Sequence, residues 1–244
     1  MCRMFCLAGN YGSDFPSISR AFKEITEKDP IITSKEGDFT SHDDGWGYVH
    51  HRNHGLDYYR SADPVFKSEF PDFEKGNLVV HARKAAPKEP MGTSSCHPHF
   101  EMDERYEVFL SHNGWFDKYA LALELGEKNP EKYVDSQMFL KYMMSFTGNL
   151  EDRLRTSTKK AKENGYIKSS ANLMILALDR DSQKSQIYCY TDVAEGKEYT
   201  EYITLYEITE KNWKGIFSSS ILVPEYLPGK TGARKIARGT VVSL

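Results

Sequence analysis

Cysteine is scarce in this chain of 244 residues: Cys2, Cys6, Cys96 and Cys189 are the only four. None forms a CxxC pair, so the spacing of zinc ribbons and fingers is absent. The irregular intervals do not read as a disulfide framework; they suit free thiols in a reducing cytoplasm, the expected location. Long apolar runs are missing as well. No stretch approaches the ~18 residues that a bilayer-spanning helix needs, so no membrane partner is expected. The N-terminus lacks a basic segment followed by an apolar one, the pattern of a secretory signal. An excess of one charge is also absent. A formal net charge of −3 gives no reason to expect nucleic acid or an anionic membrane surface. No repeat, low-complexity tract or linker divides the chain. Residues 1–244 therefore read as one domain, long enough to bury a proper core.

What is present begins at the second residue. The chain opens Met-Cys-Arg-Met-Phe-Cys, so loss of Met1 would leave Cys2 first. Such a residue carries a thiol and a free α-amine on one carbon. The thiolate is the nucleophilic form, and an ordinary thiol has a pKa of about 8.5. The α-amine titrates near ~7.7–8.0, so part of it is neutral and can serve as a base. One residue then supplies nucleophile and base together. The alternative is a small apolar residue that merely starts a strand.

The patterning predicts an α+β chain. Residues 2–8 read as a strand ended by Gly9, Asn10 and Gly12. Pro16 opens a helix whose apolar stripe is Ile18, Ala21, Phe22 and Ile25. Residues 29–44 read as a polar loop. The aromatic strand after Gly45 and the one at 56–60 read as partners joined by a turn at Asn53-His54-Gly55. Strands follow at 77–83 and 106–112, separated by a loop carrying Pro87, Pro90 and Pro98. Helices are predicted at 117–126, 134–146 and, exposed, 150–164. From residue 172 onward the pattern is of strands, through Ile221-Leu222-Val223. Two packed sheets with helices on each outer face would satisfy that order.

Three polar clusters sit at strand ends, where functional groups concentrate. In His81-Ala82-Arg83 the outer two residues share a strand face, and an Arg there suits bidentate capture of a carboxylate. In His112-Asn113-Gly114 the Asn amide and the following N–H could converge as an oxyanion hole; a plain Asn-Gly hairpin turn is the other reading. Asp135-Ser136 opens a helix, either as its cap or as a carboxylate placed for an ammonium. The histidines at 42, 50, 51, 54, 97 and 99, with Asp43 and Asp44, match no standard metal spacing, and no metal is expected.

Taken in order, a cysteine at position two, DGWGYV at 44–49, H-x-R at 81–83, HPHF at 97–100, HNG at 112–114 and Asp-Ser at 135–136 resemble the class II glutamine amidotransferase domain of the N-terminal-nucleophile hydrolases. The likeness is closest to stand-alone members, among them γ-glutamyl peptide hydrolases of glutathione and ergothioneine pathways. Motifs carry it from residue 2 to about 140; beyond that only length and strand pattern agree. It implies a four-layer αββα sandwich. It implies Cys2 as nucleophile, Asn113 and Gly114 as oxyanion hole, Arg83 on the substrate α-carboxylate and Asp135 on its α-ammonium. His97 would line the pocket, and Trp46, with Gly47 on a strand beside the nucleophile, would be a further substrate-binding residue. The implied reaction is hydrolysis of a γ-glutamyl amide through a glutamyl thioester, with no cofactor. Two departures stand out. The family's threonine after H-x-R is Ala86 here, which removes a polar substrate contact, and its Glu after Asp-Ser is Gln137. Nothing after residue 150 resembles an acceptor domain, so an ammonia acceptor would be a separate synthase, or the partner a peptidase subunit. The other readings are an ammonia-donating subunit and a non-catalytic scaffold that retains Met1.

Overall fold

The computed structural model describes residues 2–32, 41–53, 55–86, 89–222 and 232–244. Among the described residues, twelve strands run in chain order: β1 (Arg3–Asn10), β2 (Trp46–Arg52), β3 (Gly55–Ser61), β4 (Lys75–Ala82), β5 (His99–Met102), β6 (Tyr106–Phe116), β7 (Ile167–Asp179), β8 (Lys184–Thr191), β9 (Leu205–Thr209), β10 (Trp213–Ser218), β11 (Arg234–Lys235) and β12 (Thr240–Ser243). Four α-helices accompany them: α1 (Phe15–Glu27), α2 (Lys118–Leu125), α3 (Asp135–Met144) and α4 (Leu150–Glu163). One sheet has seven strands in the order β11-β9-β10-β1-β4-β2-β3. The other has five, β12-β8-β7-β6-β5. The pairings are antiparallel.

Strand parity builds the layers. Side chains alternate faces along a strand, and on β1 Phe5 and Leu7 point one way while Met4 and Cys6 point the other. Phe5 and Leu7 join Leu78 and Val80 of β4 and Phe217 of β10 beneath Ile18 and Phe22 of α1. On the second sheet Val108, Leu110, Leu173 and Ile175 pack under Phe139 and Leu154 of α3 and α4. The opposite parity fills the space between the sheets with Met4, Cys6, Val79, Phe109, Met174, Leu176, Ile187, Cys189 and Ile216. Three buried clusters therefore separate four layers, α1, seven strands, five strands and α2–α4, which is the αββα arrangement. Each fully buried Leu, Phe or Ile stabilises it by roughly 1.5–3 kcal/mol.

Several elements differ from expectation. Asn113-Gly114 is not a hairpin turn; β6 runs through it to Phe116. The helix at 150–164 is not simply exposed, for Leu150, Leu154 and Ala161 bury one face. Residues 201–208 divide into a 3₁₀ turn at Glu201–Ile203 and then β9. Ile221 and Leu222 lie in a 3₁₀ turn rather than a strand. Asn53 adopts the left-handed turn conformation, φ 52°, before β3; His54 lies outside the described residues, as do Met1, Pro87 and Val223. Among the described residues no helix is long and apolar enough to cross a membrane.

Candidate active site

Cys2 precedes β1 and shares the parity of Met4 and Cys6, so it falls at the edge of the space between the sheets. It is buried, with 7% of its surface exposed. Its backbone N–H donates to Asn113 Oδ1 at 2.9 Å, across from the other sheet. Its Sγ accepts the Lys84 N–H at 3.4 Å. The neighbouring Arg3 has the opposite parity and is wholly buried. Its guanidinium donates to Asp29 Oδ2 at 2.5 Å and to the Tyr202 carbonyl at 2.9 Å. Asp29 also meets His42 Nε2 at 3.0 Å and accepts from Ser220 Oγ at 2.8 Å. These bonds hold Asp29 as a carboxylate well below the usual range despite its burial. A buried pair with this many partners fixes the start of β1; losing one partner would leave a buried charge uncompensated.

Asn113 is 1% exposed and inward-facing on β6. With Oδ1 taken up by Cys2, its side-chain N–H donors are left to turn toward the cavity. Gly114 follows at φ 154°, and a Cβ there would lie 1.6 Å from the Ser170 carbonyl oxygen of β7. Only glycine allows that approach. The register between β6 and β7 shifts just beyond it, between Gly114 and Phe116, so the ladder is irregular there.

A cavity of about 400 Å³ brings together Cys2, Arg83, His97, Asn113, Gly114 and Asp135. Arg83 leaves the end of β4 and donates to the Pro90 carbonyl at 2.9 Å. Asp135 is the first residue of α3 but not its cap: Gln137 Oε1 accepts the Val134 N–H at 3.0 Å in that role. Asp135 Oδ2 instead accepts from Phe116 N at 2.8 Å, and its Oδ1 from Ser136 Oγ at 3.2 Å. Trp46 is not in this cavity. Its strand parity turns it to the α1 side, 1% exposed in the outer core, where its Nε1–H donates to Ser68 Oγ at 3.1 Å. The substrate-binding role expected of Trp46 is corrected accordingly; it is Gly47, facing the other way, whose missing side chain lets the His97 carbonyl pack close.

Two lining residues were not anticipated as site residues. Lys84, besides its N–H on Cys2 Sγ, anchors its ammonium on Asp43 at 2.7 Å and Asp44 at 3.6 Å. Ala85 N donates to Asp44 Oδ2 at 2.9 Å. The acidic turn at 43–44 thus ties down the strand-end loop over Cys2. The departure at Ala86, two residues on from Lys84, is its only signal in the sequence. Glu89 is the second, and burial pushes its carboxyl above the ordinary range. Nothing in its local pattern marked it.

Behind the cavity stands a column of histidine rings, His81 against His97 at 4.1 Å and His97 against His99 at 4.4 Å. Burial holds all three below the ordinary imidazole value, His81 at about 3, so they are neutral near pH 7. Neutral rings stack where imidazolium ions would repel. Among the described residues no three His, Cys, Asp or Glu side chains converge to hold a metal ion.

The layers and topology are those of the N-terminal-nucleophile hydrolase fold. Among solved structures, the chain is similar to glutamine phosphoribosylpyrophosphate amidotransferase from B. subtilis, determined with ADP and GMP, at 13% identity and TM-score 0.65, covering 99% of this chain and 47% of that one. It is similar to the allosteric regulatory enzyme of purine biosynthesis at 13% identity and TM-score 0.66, covering 99% of this chain and 46% of that one. A predicted glutamine amidotransferase from Pseudomonas aeruginosa aligns at 14% identity and TM-score 0.49 over 100% of this chain and 93% of that one. The chain spans about half the length of the first two. No family model matches it, and no curated protein matches its sequence.

Proposed function

We propose that this protein hydrolyses a γ-glutamyl amide bond, with Cys2 as nucleophile once Met1 is removed. The observation that carries the reading is the 2.9 Å bond from Cys2 N to Asn113 Oδ1, which joins the would-be terminal nitrogen to the would-be oxyanion donor in one cavity with Arg83 and Asp135. In the free amine that bond occupies one N–H and leaves the lone pair available as base. The amine takes the thiol proton as Sγ attacks the γ-carbonyl carbon. The Asn113 amide and Gly114 N–H stabilise the oxyanion, worth about 3–4 kcal/mol per donor in comparable sites. The protonated amine then delivers that proton to the departing nitrogen as the C–N bond breaks. Water attacks the thioester, the amine takes its proton, and the C–S bond breaks to release glutamate and restore the thiol. Arg83 binds the α-carboxylate and Asp135 the α-ammonium. The Lys84 N–H on the sulfur favours thiolate at the moment of attack.

The test is to assay L-glutamine, glutathione and other γ-glutamyl amides side by side against the wild type and Cys2→Ala, with intact mass establishing loss of Met1. Turnover is expected from the processed wild type. The variant should lose it while unfolding at an unchanged temperature. Full activity in Cys2→Ala would refute the assignment.

A further inference from the structure

Glu89 has two carboxylate oxygens in different circumstances. Oε1 faces the Lys118 ammonium at 3.9 Å, and Lys118 also donates to the Tyr133 carbonyl at 3.1 Å. Oε2 is buried and, among the described residues, has no hydrogen-bond partner. A buried acceptor left without a donor costs about 1–3 kcal/mol, and such groups are rare enough to need a reason. Glu89 lines the same cavity as Cys2, and Arg83 and Asp135 lie close enough to act on its charge. Its own N–H donates to the Ala86 carbonyl at 3.1 Å, so it stands beside the position whose side chain has no polar atom.

We propose that Glu89 is a specificity-determining residue that accepts a hydrogen bond from the substrate's α-ammonium through Oε2, sharing that group with Asp135. The inference rests on reading the cavity as a γ-glutamyl amide site. An ammonium offers three N–H donors. Asp135 already accepts from Phe116 on Oδ2 and from Ser136 on Oδ1, which leaves one lone pair on each oxygen for the ammonium, and the third N–H falls to the unpartnered Glu89 Oε2. Charge agrees: Asp135 and Glu89 stand against Arg83 and Lys118, a balanced setting for a zwitterionic head group. An acylated α-nitrogen, uncharged and with a single N–H, gains nothing from Glu89.

Glu89→Gln keeps the shape and removes the charge. For a γ-glutamyl amide with a free α-ammonium, KM should rise roughly 10- to 100-fold with kcat within about twofold, the scale of one charge-assisted hydrogen bond. For the same amide acetylated on its α-nitrogen, already a poorer substrate, KM should be the same in wild type and variant. An unchanged KM for the free-amine substrate, or an equal rise for both, overturns the proposal. Calorimetry with L-glutamate separates this failure from failure of the hydrolase reading. If the wild type turns over no γ-glutamyl amide yet binds L-glutamate, and Glu89→Gln binds it at least 10-fold more weakly, the head-group assignment stands. If the wild type does not bind L-glutamate, it falls as well. Lys118→Met is the second variant: loss of affinity through a disturbed ion pair alone would appear there equally, with both substrates.

Discussion

Cys2, just before β1, and Cys6, on it, lie four residues apart with the same parity and differ in their surroundings. Cys6 is 0% exposed among apolar side chains, its sulfur 3.5 Å from that of Cys189. Burial and that neighbour push the Cys189 thiol well up. Cys2 sits where the same layer opens into a cavity, with a backbone N–H on its sulfur and charged groups around it. Two thiols of one parity thus meet different surroundings, and the sheet opposite sets the difference. At Cys6 that sheet presents Met174, Ile187 and Cys189. At Cys2 it presents Asn113.

The sharpest way to break the contrast, after loss of Cys2 itself, is to make the polar end resemble the apolar one. Asn113→Ala removes the acceptor for Cys2 N and the proposed oxyanion donor together. It should lower kcat by about 10²–10³-fold, roughly 2.7–4 kcal/mol, measured at saturating substrate; a loss under tenfold would remove Asn113 from the oxyanion hole.

Acid should separate the two ends by stability. His42, His81, His97, His99 and His112 are all held below the ordinary value by burial, His42 at about 4. The unfolded chain binds protons at these groups near pH 6.5 and the folded chain does not. Stability is therefore unaffected above pH 6.5. It falls as pH drops below it, by up to about 1.4 kcal/mol per unit for each such group until its folded value is reached. Hydrogen exchange at pH 5 should open the Ala82 end of β4 and the His112 stretch of β6 before the Cys6 stretch, and denaturant midpoints that stay flat from pH 7 to 5 would contradict this. The smallest effect belongs to Cys6→Ala. It should cost roughly 1 kcal/mol in urea and leave kcat unchanged, as expected for a small cavity far from the chemistry. Native alkylation should label Cys2 and reach Cys6 only in denaturant.

How far the molecule was legible beforehand follows the range of the forces involved. Strand alternation and helix stripes are local, so α1, α3, β4 and β7 were visible in outline. β5, β11 and β12 were not: they are two to four residues long and exist because β6, β9 and β8 supply their hydrogen bonds. Cys2, Arg83 and Asp135 stand out because each lies at an element end, and Asn113-Gly114 because the pair is unusual in a strand, which β6 proves to be by running on to Phe116. Trp46 misled because aromatic residues near a motif do not declare their face; one residue of parity moved it from the site to the core under α1. Glu89 and the Lys84 backbone were invisible because the loop after β4 has no period, and its placement is decided by Asp43 and Asp44, 40 residues upstream.

The Arg3 guanidinium, gripped beneath α1, has a consequence for motion. A pleated chain cannot rotate one residue without rotating the next, so clamping position three on the far side of the sheet deprives position two of swing. The Arg3–Asp29 bond, made on the α1 side, thus steadies a neighbour that faces the space between the sheets. The bearing of the Cys2 side chain is set from behind, as a rudder sets a bow.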